Sequence, residues 1–324
     1  MTSKRVLVTG GAGFIGSNLC DRLLAANHEV VALDTFVSGK RENLLLASQS
    51  AGAARLTVLE GDIRSIEDHA SAIGKVDVIV HLAALISGFD SLTAPDEYFD
   101  VNVGGLLRVI QFSQAHGVPR IVFASSSTVY GGNPFPVLNE STPPSPLTVY
   151  ATTKLAGEHL LSLYGKMHGF SHCSLRLFNV YGPRQAVDHP YANVTCKFSH
   201  AAALGLAVRR YGDGQQSRDF VFVDDVVEAF TKVLESSREH IYNVGTAEQH
   251  SINELLGLLE NISGRSIAVE QHAAWPNDIR QICADISRIR KEFGFTPNVP
   301  IQKGLAATVA FFRNIANTQG LDGE

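Results

Sequence analysis

The stretch Val6-Leu7-Val8-Thr9-Gly10-Gly11-Ala12-Gly13-Phe14-Ile15-Gly16 predicts the fold of this 324-residue chain. An apolar, β-branched run enters a glycine-rich turn, and Phe14 begins a segment with helical spacing. Gly11, Gly13 and Gly16 satisfy the G-x-G-x-x-G spacing in the strand–turn–helix context that this motif requires. Glycines allow a tight turn and a close approach of the backbone to a pyrophosphate, whose charge the helix N-terminus attracts. The stretch therefore predicts a dinucleotide-binding turn at the start of an α/β sheet.

Asp34 follows the turn at the end of the next predicted strand, near the spacing of about 20 residues expected for a carboxylate on the adenosine ribose. A carboxylate there would repel a 2′-phosphate, so we predict NAD as the cofactor and not NADP. Lys40 and Arg41 come soon after and are interpreted as solvated loop charges. Asp62 lies just past the third predicted strand, where it either caps the next turn or hydrogen-bonds the adenine amino group.

Short β-branched runs alternate with longer segments of helical spacing through the first half of the chain, which is typical of a parallel sheet covered by helices. Strands are predicted over residues 6–9, 30–34, 56–60, 76–81, 121–125 and 173–178. Helices are predicted over residues 14–26, 66–73, 98–116 and 149–168. The predicted fold class is α/β: a Rossmann-type doubly wound parallel sheet with a smaller, mixed α/β C-terminal substrate domain.

Two domains are predicted from this pattern. Residues 1–177 would form the NAD-binding domain, and residues 219–245 would return to it because they again have strand and helix character. Residues 178–218 and 246–324 would form the second, substrate-binding domain. Substrate would then lie in the crevice at the carboxyl ends of the strands, where ligands of such sheets bind.

Composition excludes several classes of protein. The formal net charge is −5 and the basic residues are not clustered, so nucleic acid is not a predicted partner. No apolar stretch is long enough to span a bilayer, and the first apolar run breaks at Thr9, so neither an anchor nor a signal peptide is predicted. Cys20, Cys173, Cys196 and Cys283 are isolated and the histidines lack metal-ligand spacing, so we predict a reduced, cytoplasmic enzyme without a metal site.

Tyr150-Ala-Thr-Thr-Lys154 adds a chemical pair to the cofactor turn. Side chains four residues apart on a helix face the same way. An ammonium beside a phenol favours the phenolate and lowers the phenol's pKa, as a tyrosine acting as a base near neutral pH requires. The hydroxyl cluster of residues 125–128 follows a buried strand, where a serine could relay a proton, fix substrate geometry or only form a turn. The pair and the turn together predict oxidation of an alcohol by removal of a proton and a hydride.

These motifs together resemble the extended short-chain dehydrogenase/reductase family, in its NAD-dependent nucleotide-sugar epimerase/dehydratase branch, and most of all UDP-glucose 4-epimerase-like enzymes. The resemblance covers nearly the whole chain. The matching segments are residues 10–16, 34, 61–62, 81–84, 102–103, 125–131, 150–154, 175–184 and 218–225.

The resemblance implies a role for each matched residue. Tyr150 would be the catalytic base, Lys154 would hold the nicotinamide ribose, and Ser126 would hydrogen-bond the sugar. NAD would be bound by Gly10, Gly13, Phe14, Ile15, Gly16, Asp34, Asp62, Ile63, Leu82, Ala83, Ala84, Asn102, Tyr150 and Lys154. The nucleotide-sugar would be bound by Ser126, Asn179, Arg218 and Asp278.

Departures from the family pattern separate its branches. The resembling 4,6-dehydratases place an Asp-Glu pair directly after the catalytic hydroxyl, and the decarboxylases usually keep a glutamate at the second of these positions. This chain has Ser127 and Thr128 there, which disfavours both reactions. Trp275 stands where many epimerases carry a diphosphate-binding arginine, which leaves Arg218 and Arg280 as the predicted cations.

The predicted reaction is therefore NAD-dependent 4-epimerisation of a nucleotide-diphosphate sugar, with a UDP-hexose the first choice. A 4-keto intermediate would turn over and take the hydride back on its other face. The alternatives are a 4-ketoreductase or dehydratase acting on a nucleotide-sugar, and a sensing protein that has kept the fold without catalysis. The resemblance also implies a homodimer joined by a four-helix bundle, formed by residues 98–116 and 149–168 of each subunit.

Overall fold

The structure is a computed structural model that describes residues 3–50, 52–187, 192–238, 240–274 and 279–319. Its strands, in chain order, are β1 Arg5–Thr9, β2 Glu29–Asp34, β3 Leu56–Glu60, β4 Val78–His81, β5 Arg120–Ser126, β6 Val137–Leu138, β7 Ser171–Leu177, β8 Asn179–Tyr181, β9 Val208–Tyr211, β10 Ser217–Arg218, β11 Phe220–Phe222, β12 His240–Val244, β13 His250–Ser251, β14 Val269–His272 and β15 Gln281–Ala284.

The α-helices are α1 Phe14–Ala25, α2 Leu45–Gln49, α3 Ala70–Ile73, α4 Asp90–Thr93, α5 Pro95–Tyr98, α6 Gly105–Ala115, α7 Val149–His168, α8 Val194–Leu204, α9 Val223–Val233, α10 Ile252–Ser263, α11 Ser287–Phe293 and α12 Ile301–Gln319. Short 3₁₀ turns cover Arg41–Leu44, Ala53–Arg55, Ile63–His69 and Ser127–Tyr130, and a π-helical turn covers Phe99–Gly104. Of the described helices, none has the length and apolar character needed to cross a membrane.

The central sheet joins seven of the described strands in the order β12-β7-β5-β4-β1-β2-β3, and every pairing in it is parallel. The strand order reverses beside β1, which pairs with β2 on one edge and with β4 on the other. In doubly wound sheets, the crevice at the carboxyl ends of the strands opens at this reversal. The glycine turn after β1 and the loop after β4 therefore meet there.

Two clusters of buried apolar residues cover the two faces of this sheet. Along β1, Val6 and Val8 belong to one cluster and Leu7 to the other, because successive side chains of a strand point to opposite faces. The larger cluster continues into the C-terminal part of the chain, where Phe295, Leu305 and neighbours are also buried. Both faces of the sheet are thus covered, as expected for parallel strands linked by helices.

The remaining strands form small sheets beside the carboxyl edge. A mixed sheet has the order β13-β10-β15-β6, and two parallel pairs join β8 to β11 and β9 to β14. β6 comes from the loop that precedes α7, yet it pairs with β15. The segment that carries the reactive residues is thereby joined directly to the C-terminal part of the chain.

The predicted fold class is confirmed. The third strand and α7 have the predicted bounds, and the other main strands differ by one or two residues at an end. The helix predicted over residues 98–116 is broken into helical, π-helical and helical pieces, and that over residues 66–73 begins as a 3₁₀ turn. From the returning segment, β12 enters the main sheet, whereas β11 pairs with β8 outside it. The domain division itself stays a prediction.

Candidate active site

The glycine turn forms a cradle in front of α1. Gly10 has φ +70°, and a Cβ placed on it would lie 2.8 Å from the backbone nitrogen of Ala83. A side chain there would push the loop after β4 away from the turn. At Gly13, the residue that caps α1, a Cβ would contact only the Gly10 oxygen, at 3.2 Å. The space in front of Gly13 is therefore left open by the protein, as the backbone approach of a pyrophosphate requires.

Backbone hydrogen bonds, one of them from the glycine turn, hold the Asp34 carboxylate in place. Its Oδ2 accepts a hydrogen bond from Ala12 N and its Oδ1 accepts one from Phe36 N, each at 2.9 Å. The residue is only 9% exposed, so its orientation is fixed while its oxygens keep further lone pairs for a ribose hydroxyl. These residues fit the adenosine half of NAD.

Arg41 is not a simple solvated charge, although it is exposed. Its guanidinium pairs with Glu60 and lies 4.0 Å from the centre of the Phe36 ring. The Arg41 charge is thus held by a carboxylate and an aromatic face. Because this guanidinium is already paired, it does not favour a 2′-phosphate over the 2′-hydroxyl that Asp34 would bind.

Asp62 caps the turn that follows β3. Its Oδ1 accepts from Arg64 N at 2.8 Å, and its Oδ2 lies 2.6 Å from an Arg64 side-chain nitrogen. Hydrogen bonds from Arg64 hold the pKa of the Asp62 carboxyl below its usual range. Of the two interpretations of Asp62, the cap is the one that the structure contains. Contact of Asp62 and the neighbouring, buried Ile63 with the adenine stays a prediction.

Asn102 positions the loop that follows β4. Its Oδ1 accepts from Leu85 N at 2.8 Å, and its Nδ2 donates to Leu85 O and to Thr153 Oγ1, each at 3.0 Å. The π-helical turn Phe99–Gly104 carries this side chain, and such turns often occur at functional sites. Asn102 therefore links Leu82, Ala83 and Ala84 to α7, but its polar atoms are all engaged within the protein.

The reactive side chains meet at the carboxyl end of β5. Thr148 caps α7 by accepting from Ala151 N at 3.1 Å, so the helix begins just before Tyr150 and presents Tyr150 and Lys154 on one face. Ser126 ends β5, and its side chain lies close enough to Tyr150 to lower the pKa of the phenol. Lys154 Nζ donates to Ala124 O at 2.9 Å and lies 5.8 Å from the centre of the Tyr150 ring. The structure thus brings the three predicted catalytic residues together.

The predicted effect of Lys154 on the Tyr150 pKa is wrong for this structure. Burial raises the pKa of Tyr150 to about 12, and the neighbouring Ser126 side chain opposes the rise. Burial also lowers the pKa of Lys154 to about 7, so part of the Lys154 population is uncharged near neutral pH. The helical spacing predicts that the two side chains share a face. It does not predict how far both are buried, and burial is what shifts the two pKa values.

His81 has the structural role expected of it. Its Nδ1 lies 2.8 Å from Thr9 Oγ1, across the β1–β4 pairing, and its ring stacks on Phe123. Burial and the nearby Lys154 lower the pKa of His81 to about 3, so the imidazole is neutral. Among the described residues, no group of three His, Cys, Asp or Glu side chains is arranged to hold a metal ion.

Behind the reactive residues lies a buried ion pair that sequence reasoning missed. Arg176 on β7 donates to Glu158 on α7 through Nε at 2.9 Å and a terminal nitrogen at 2.7 Å. Ser125 Oγ donates to the same carboxylate at 2.5 Å. Glu158 is one helical turn beyond Lys154, and Arg176 interrupts an apolar strand. A charged residue within an otherwise apolar, buried pattern was the sequence signal for each member of this ion pair.

The predicted diphosphate residues lie on neighbouring backbones. Asn179 is paired with Phe220 in the β8–β11 ladder, and its Nδ2 donates to Asp219 O at 3.3 Å. Arg218 stands just before this pairing, half-buried, with one side-chain nitrogen donating to Ser217 O at 2.9 Å. Asp219 is fully buried and accepts from the turn after β12, which fixes this corner.

Two further substrate predictions differ in outcome. Arg280 donates two hydrogen bonds to Asp213, at 2.8 and 2.7 Å, so its charge is matched by a carboxylate. Asp278 and Trp275 lie outside the described residues. Of the predicted cations, Arg218 is therefore the one placed beside Asn179.

Comparison with known proteins identifies the family. The family model described as "NAD dependent epimerase/dehydratase family" matches residues 6–245, which include the glycine turn, the reactive trio and the Asn179–Arg218 corner. The chain belongs to the NAD-dependent epimerase/dehydratase family. The predicted family and the predicted cofactor, NAD, are confirmed, and the glycine cradle and Asp34 fit that cofactor.

Several relatives match over nearly the whole length of the chain. A UDP-glucose 4-epimerase of Mycolicibacterium smegmatis is 38% identical over 314 residues, covering 96% of this chain and 99% of the relative. The solved structure of a UDP-N-acetylglucosamine 4-epimerase from Methanobrevibacter ruminantium, in complex with UDP-N-acetylmuramic acid, has a TM-score of 0.91 at 34% identity, covering 97% of this chain and 100% of that one. The Thermus thermophilus UDP-glucose 4-epimerase complex with NAD has a TM-score of 0.86 at 37% identity, covering 95% and 99%.

Proposed function

We propose that the protein interconverts the C4 epimers of a UDP-hexose, with NAD as the resident cofactor. The observation that carries the proposal is the trio Ser126, Tyr150 and Lys154 beside the glycine cradle, followed by hydroxyls and not carboxylates at 127 and 128. The 4-epimerase reaction predicted from the sequence is confirmed by the relatives of that activity. Glucose as the sugar is the finer step, and the names of two of the three relatives favour it.

Dehydration needs an acid and a base directly after the catalytic hydroxyl. In this chain those two positions hold Ser127 and Thr128, whose hydroxyls do not serve as that acid and base. Ser127 is buried, and the Thr128 hydroxyl donates to Ser126 Oγ at 2.9 Å. Epimerisation asks only for reversible removal of one proton and one hydride at C4. The residues present suit that simpler requirement.

The base is Tyr150, and its surroundings account for its behaviour. In water-excluded surroundings the phenolate is costly, as the raised pKa of about 12 indicates, so a bound substrate proton returns readily once taken. The Ser126 side chain acts in the opposite direction to burial, because it lowers the Tyr150 pKa and so favours the phenolate. Bound NAD supplies the hydride acceptor for the oxidation and the donor for the return. Lys154, anchored on Ala124 O, places its amino group at the same end of the sheet.

The substrate must be held at the diphosphate while the sugar turns. Asn179 and Arg218 lie on the β8–β11 corner, on the C-terminal side of the crevice, and the buried Asp219 fixes that corner. Arg218 would form a charge-assisted hydrogen bond with a diphosphate oxygen. Because this grip involves the diphosphate and not the hexose, a 4-keto sugar can present its opposite face before the hydride returns.

The test is incubation of the purified protein with UDP-glucose and no added cofactor, followed by proton NMR of the sugar. Appearance of the UDP-galactose signals is the expected outcome, because NAD is regenerated in each cycle. Tyr150→Phe should lower kcat by about 10²–10⁴-fold with nucleotide-sugar affinity retained. Tyr164→Phe, on the same helix but away from Ser126, is the matched control and should leave kcat unchanged. Full activity in Tyr150→Phe would exclude the assignment.

Ketoreduction of a 4-keto nucleotide-sugar is the alternative that uses the same residues. It differs in consuming reduced cofactor stoichiometrically, because no hydride is returned to it. If UDP-glucose and related UDP-, dTDP- and GDP-sugars stay unchanged, and a 4-keto sugar is converted only with added reduced cofactor, the ketoreductase is the correct assignment.

A homodimer is also part of the proposal. On α7, Leu163 and Met167 are 53% and 64% exposed and lie one turn apart on the outer face. Phe99, on the adjacent helix, is 44% exposed. Large apolar side chains in adjacent exposed positions often mark a contact with another protein. The arrangement suits a four-helix bundle in which each subunit contributes the segment of residues 98–116 and α7.

The dimer is tested by sedimentation equilibrium of wild type, Leu163→Asp and Met167→Asp. We expect the wild type to sediment as a dimer and both variants to shift towards monomers, because a carboxylate would be desolvated at the interface. Leu206→Asp, which changes a similarly exposed leucine after α8, is the control and should remain dimeric. A monomeric wild type would refute this part.

A cytoplasmic location completes the proposal. Cys20, Cys173, Cys196 and Cys283 are all free and buried in the structure. Disulfides are rare in reducing compartments, where buried thiols of this kind persist. Fractionation of the source cells, with immunodetection of the protein, tests the location, and recovery in an extracytoplasmic fraction would contradict it.

A further inference from the structure

Two consecutive residues of β5 hold the amino group of Lys154. Its Nζ donates to Ala124 O at 2.9 Å, and it lies over the ring of Phe123, 4.9 Å from the ring centroid. The same nitrogen lies 5.8 Å from the centroid of the Tyr150 ring. A cation within about 6 Å of an aromatic centroid is attracted by the negative face of the ring. Phe123 is thus the nearer of two rings that stabilise the charged form of Lys154.

The Phe123 ring is itself fixed by its neighbours. Phe123 is 2% exposed and pairs with His81 in the β4–β5 ladder, where the two rings stack at a centroid distance of 5.9 Å and an interplanar angle of 16°. On the α7 side, a Cβ placed on Gly157 would lie 2.8 Å from Phe123 Cζ. Glycine at 157 therefore lets the helix pack against the ring. Lys154 stands three residues earlier, on the same side of that helix.

The charge of Lys154 needs such a contact because burial disfavours it. Burial lowers the pKa of Lys154 to about 7, so a small change in its surroundings alters its charge near neutral pH. An ammonium has three donors, and one of them is engaged by Ala124 O. The others can reach the hydroxyls of a nicotinamide ribose. An uncharged amine would be a weaker donor to the ribose and would no longer favour a phenolate at Tyr150.

We propose that Phe123 is a positioning residue: the face of its ring, together with the Ala124 carbonyl, keeps Lys154 charged and directed at the nicotinamide ribose. The inference rests on the proposed function, because Lys154 acts in that same reaction. Phe123 is buried, so it acts on the reaction through Lys154 and not by contact with the sugar.

The other ionisable groups around this ammonium do not stabilise its charge. Burial and the ammonium itself lower the pKa of His81 on β4 to about 3, so the imidazole is neutral. Burial raises the pKa of Tyr150 and that of Tyr98 on α5, so both phenols are uncharged near neutral pH. Glu158, one turn further along α7, already pairs with Arg176. The contact that favours the charged form is therefore the aromatic face.

The experiment follows the titration of Lys154 in NAD-bound protein by carbon NMR of lysine labelled at Cε, with Lys154→Met for assignment. We expect Phe123→Leu to lower this titration by about 1 pH unit, because a desolvated ammonium loses the attraction of a ring face. Phe112→Leu is the matched control and should leave the titration unchanged. Phe112 is also 2% exposed and belongs to the same apolar cluster, but it lies on α6 and its ring contacts His116.

Ring-fluorinated phenylalanines at position 123 separate electrostatic attraction from packing. Each added fluorine weakens the negative face of the ring, whereas the shape of the side chain changes little. We expect the Lys154 titration to move to lower pH in steps with one, two and three fluorines, and the same series at position 112 to give no trend. A titration that is the same in every Phe123 form, or that moves equally in the Phe112 forms, would overturn the proposal.

The pH dependence of activity provides a second measurement. Above the pH of both titrations, a shift of about 1 pH unit lowers the charged fraction of Lys154 about 10-fold. In Phe123→Leu, kcat should fall by that factor there, and the basic limb of its pH profile should move to lower pH. An unchanged basic limb would contradict the role of Phe123. If the wild type epimerises no UDP-sugar, the proposed function fails, while the NMR titration still supports or refutes this inference.

Discussion

Glu158→Gln should destabilise the protein far more than the loss of an ordinary ion pair would. The Glu158 and Arg176 side chains are each 3% exposed, and the carboxylate accepts two hydrogen bonds from Arg176 and one from Ser125. Replacing the carboxylate by an amide leaves the Arg176 guanidinium buried without a matching charge. Breaking one side of a buried pair costs about 3–5 kcal/mol. Glutamine retains one acceptor oxygen, so we expect a loss near the lower end, about 3 kcal/mol.

The assay is urea denaturation followed by circular dichroism, at matched NAD occupancy. Glu228→Gln is the control, because Glu228 pairs with Arg22 at the surface, where the side chains are 28% and 54% exposed. A surface pair contributes about 0–1 kcal/mol, so the control should change the free energy of unfolding by less than 1 kcal/mol. Comparing Glu158→Gln with Glu228→Gln therefore tests whether burial of an ion pair, and not its mere presence, determines the loss in the free energy of unfolding.

Glu158→Leu/Arg176→Met then tests whether the uncompensated charge is the cause. Replacing both members of a buried pair by apolar residues is often neutral, so the double variant should be more stable than Glu158→Gln. Two results would refute the reasoning. One is a loss below about 1 kcal/mol in Glu158→Gln, and the other is a double variant less stable than the single one.

Three further predictions concern cofactor binding, pH and the substrate corner. In Gly39→Ala, the new Cβ would lie 2.7 Å from a carboxylate oxygen of Asp34, so we expect the protein to be purified with less NAD, measured by absorbance after denaturation. The pKa of His81 is lowered to about 3, so between about pH 6.5 and 3 the unfolded state binds a proton that the folded state does not. The free energy of unfolding should therefore fall as the pH falls through this range. His81→Gln should flatten the dependence of the urea midpoint on pH there. Asp219→Asn should lower the free energy of unfolding by about 1–3 kcal/mol in urea titrations, because an amide has one acceptor oxygen. The carboxylate accepts four hydrogen bonds from nitrogen and hydroxyl donors and a fifth, at 4.0 Å, from the Cys283 thiol. An unchanged midpoint would contradict this role.

The sequence predicts the parts of the molecule in which one local pattern decides the outcome. The glycine turn, Asp34 at the end of β2 and the bounds of α7 follow from spacing, strand propensity and the Thr148 cap. Each depends on residues close together in the chain. The meeting of Ser126, Tyr150 and Lys154 could also be predicted, because parallel strands deliver their following loops to one edge.

Features that depend on burial between distant segments could not be predicted in this way. The Glu158–Arg176 pair joins a helix to a strand, and the raised pKa of Tyr150 depends on how fully the surrounding elements exclude water. The π-helical turn that carries Asn102 has no separate signal in a sequence that otherwise indicates one continuous helix.

The place of β12 in the sheet has a consequence for synthesis of the chain on the ribosome. β12 pairs with β7, although the whole segment carrying β8, α8, β9, β10, β11 and α9 is translated between them. Until His240–Val244 has emerged, the backbone of β7 remains an exposed sheet edge, and such edges template pairing with other chains. With translation at about 5–20 residues per second, that edge stays uncovered for seconds in every nascent molecule. Chaperone dependence during synthesis should therefore concentrate on the interval between Leu177 and Val244, and a chain truncated before β12 should aggregate.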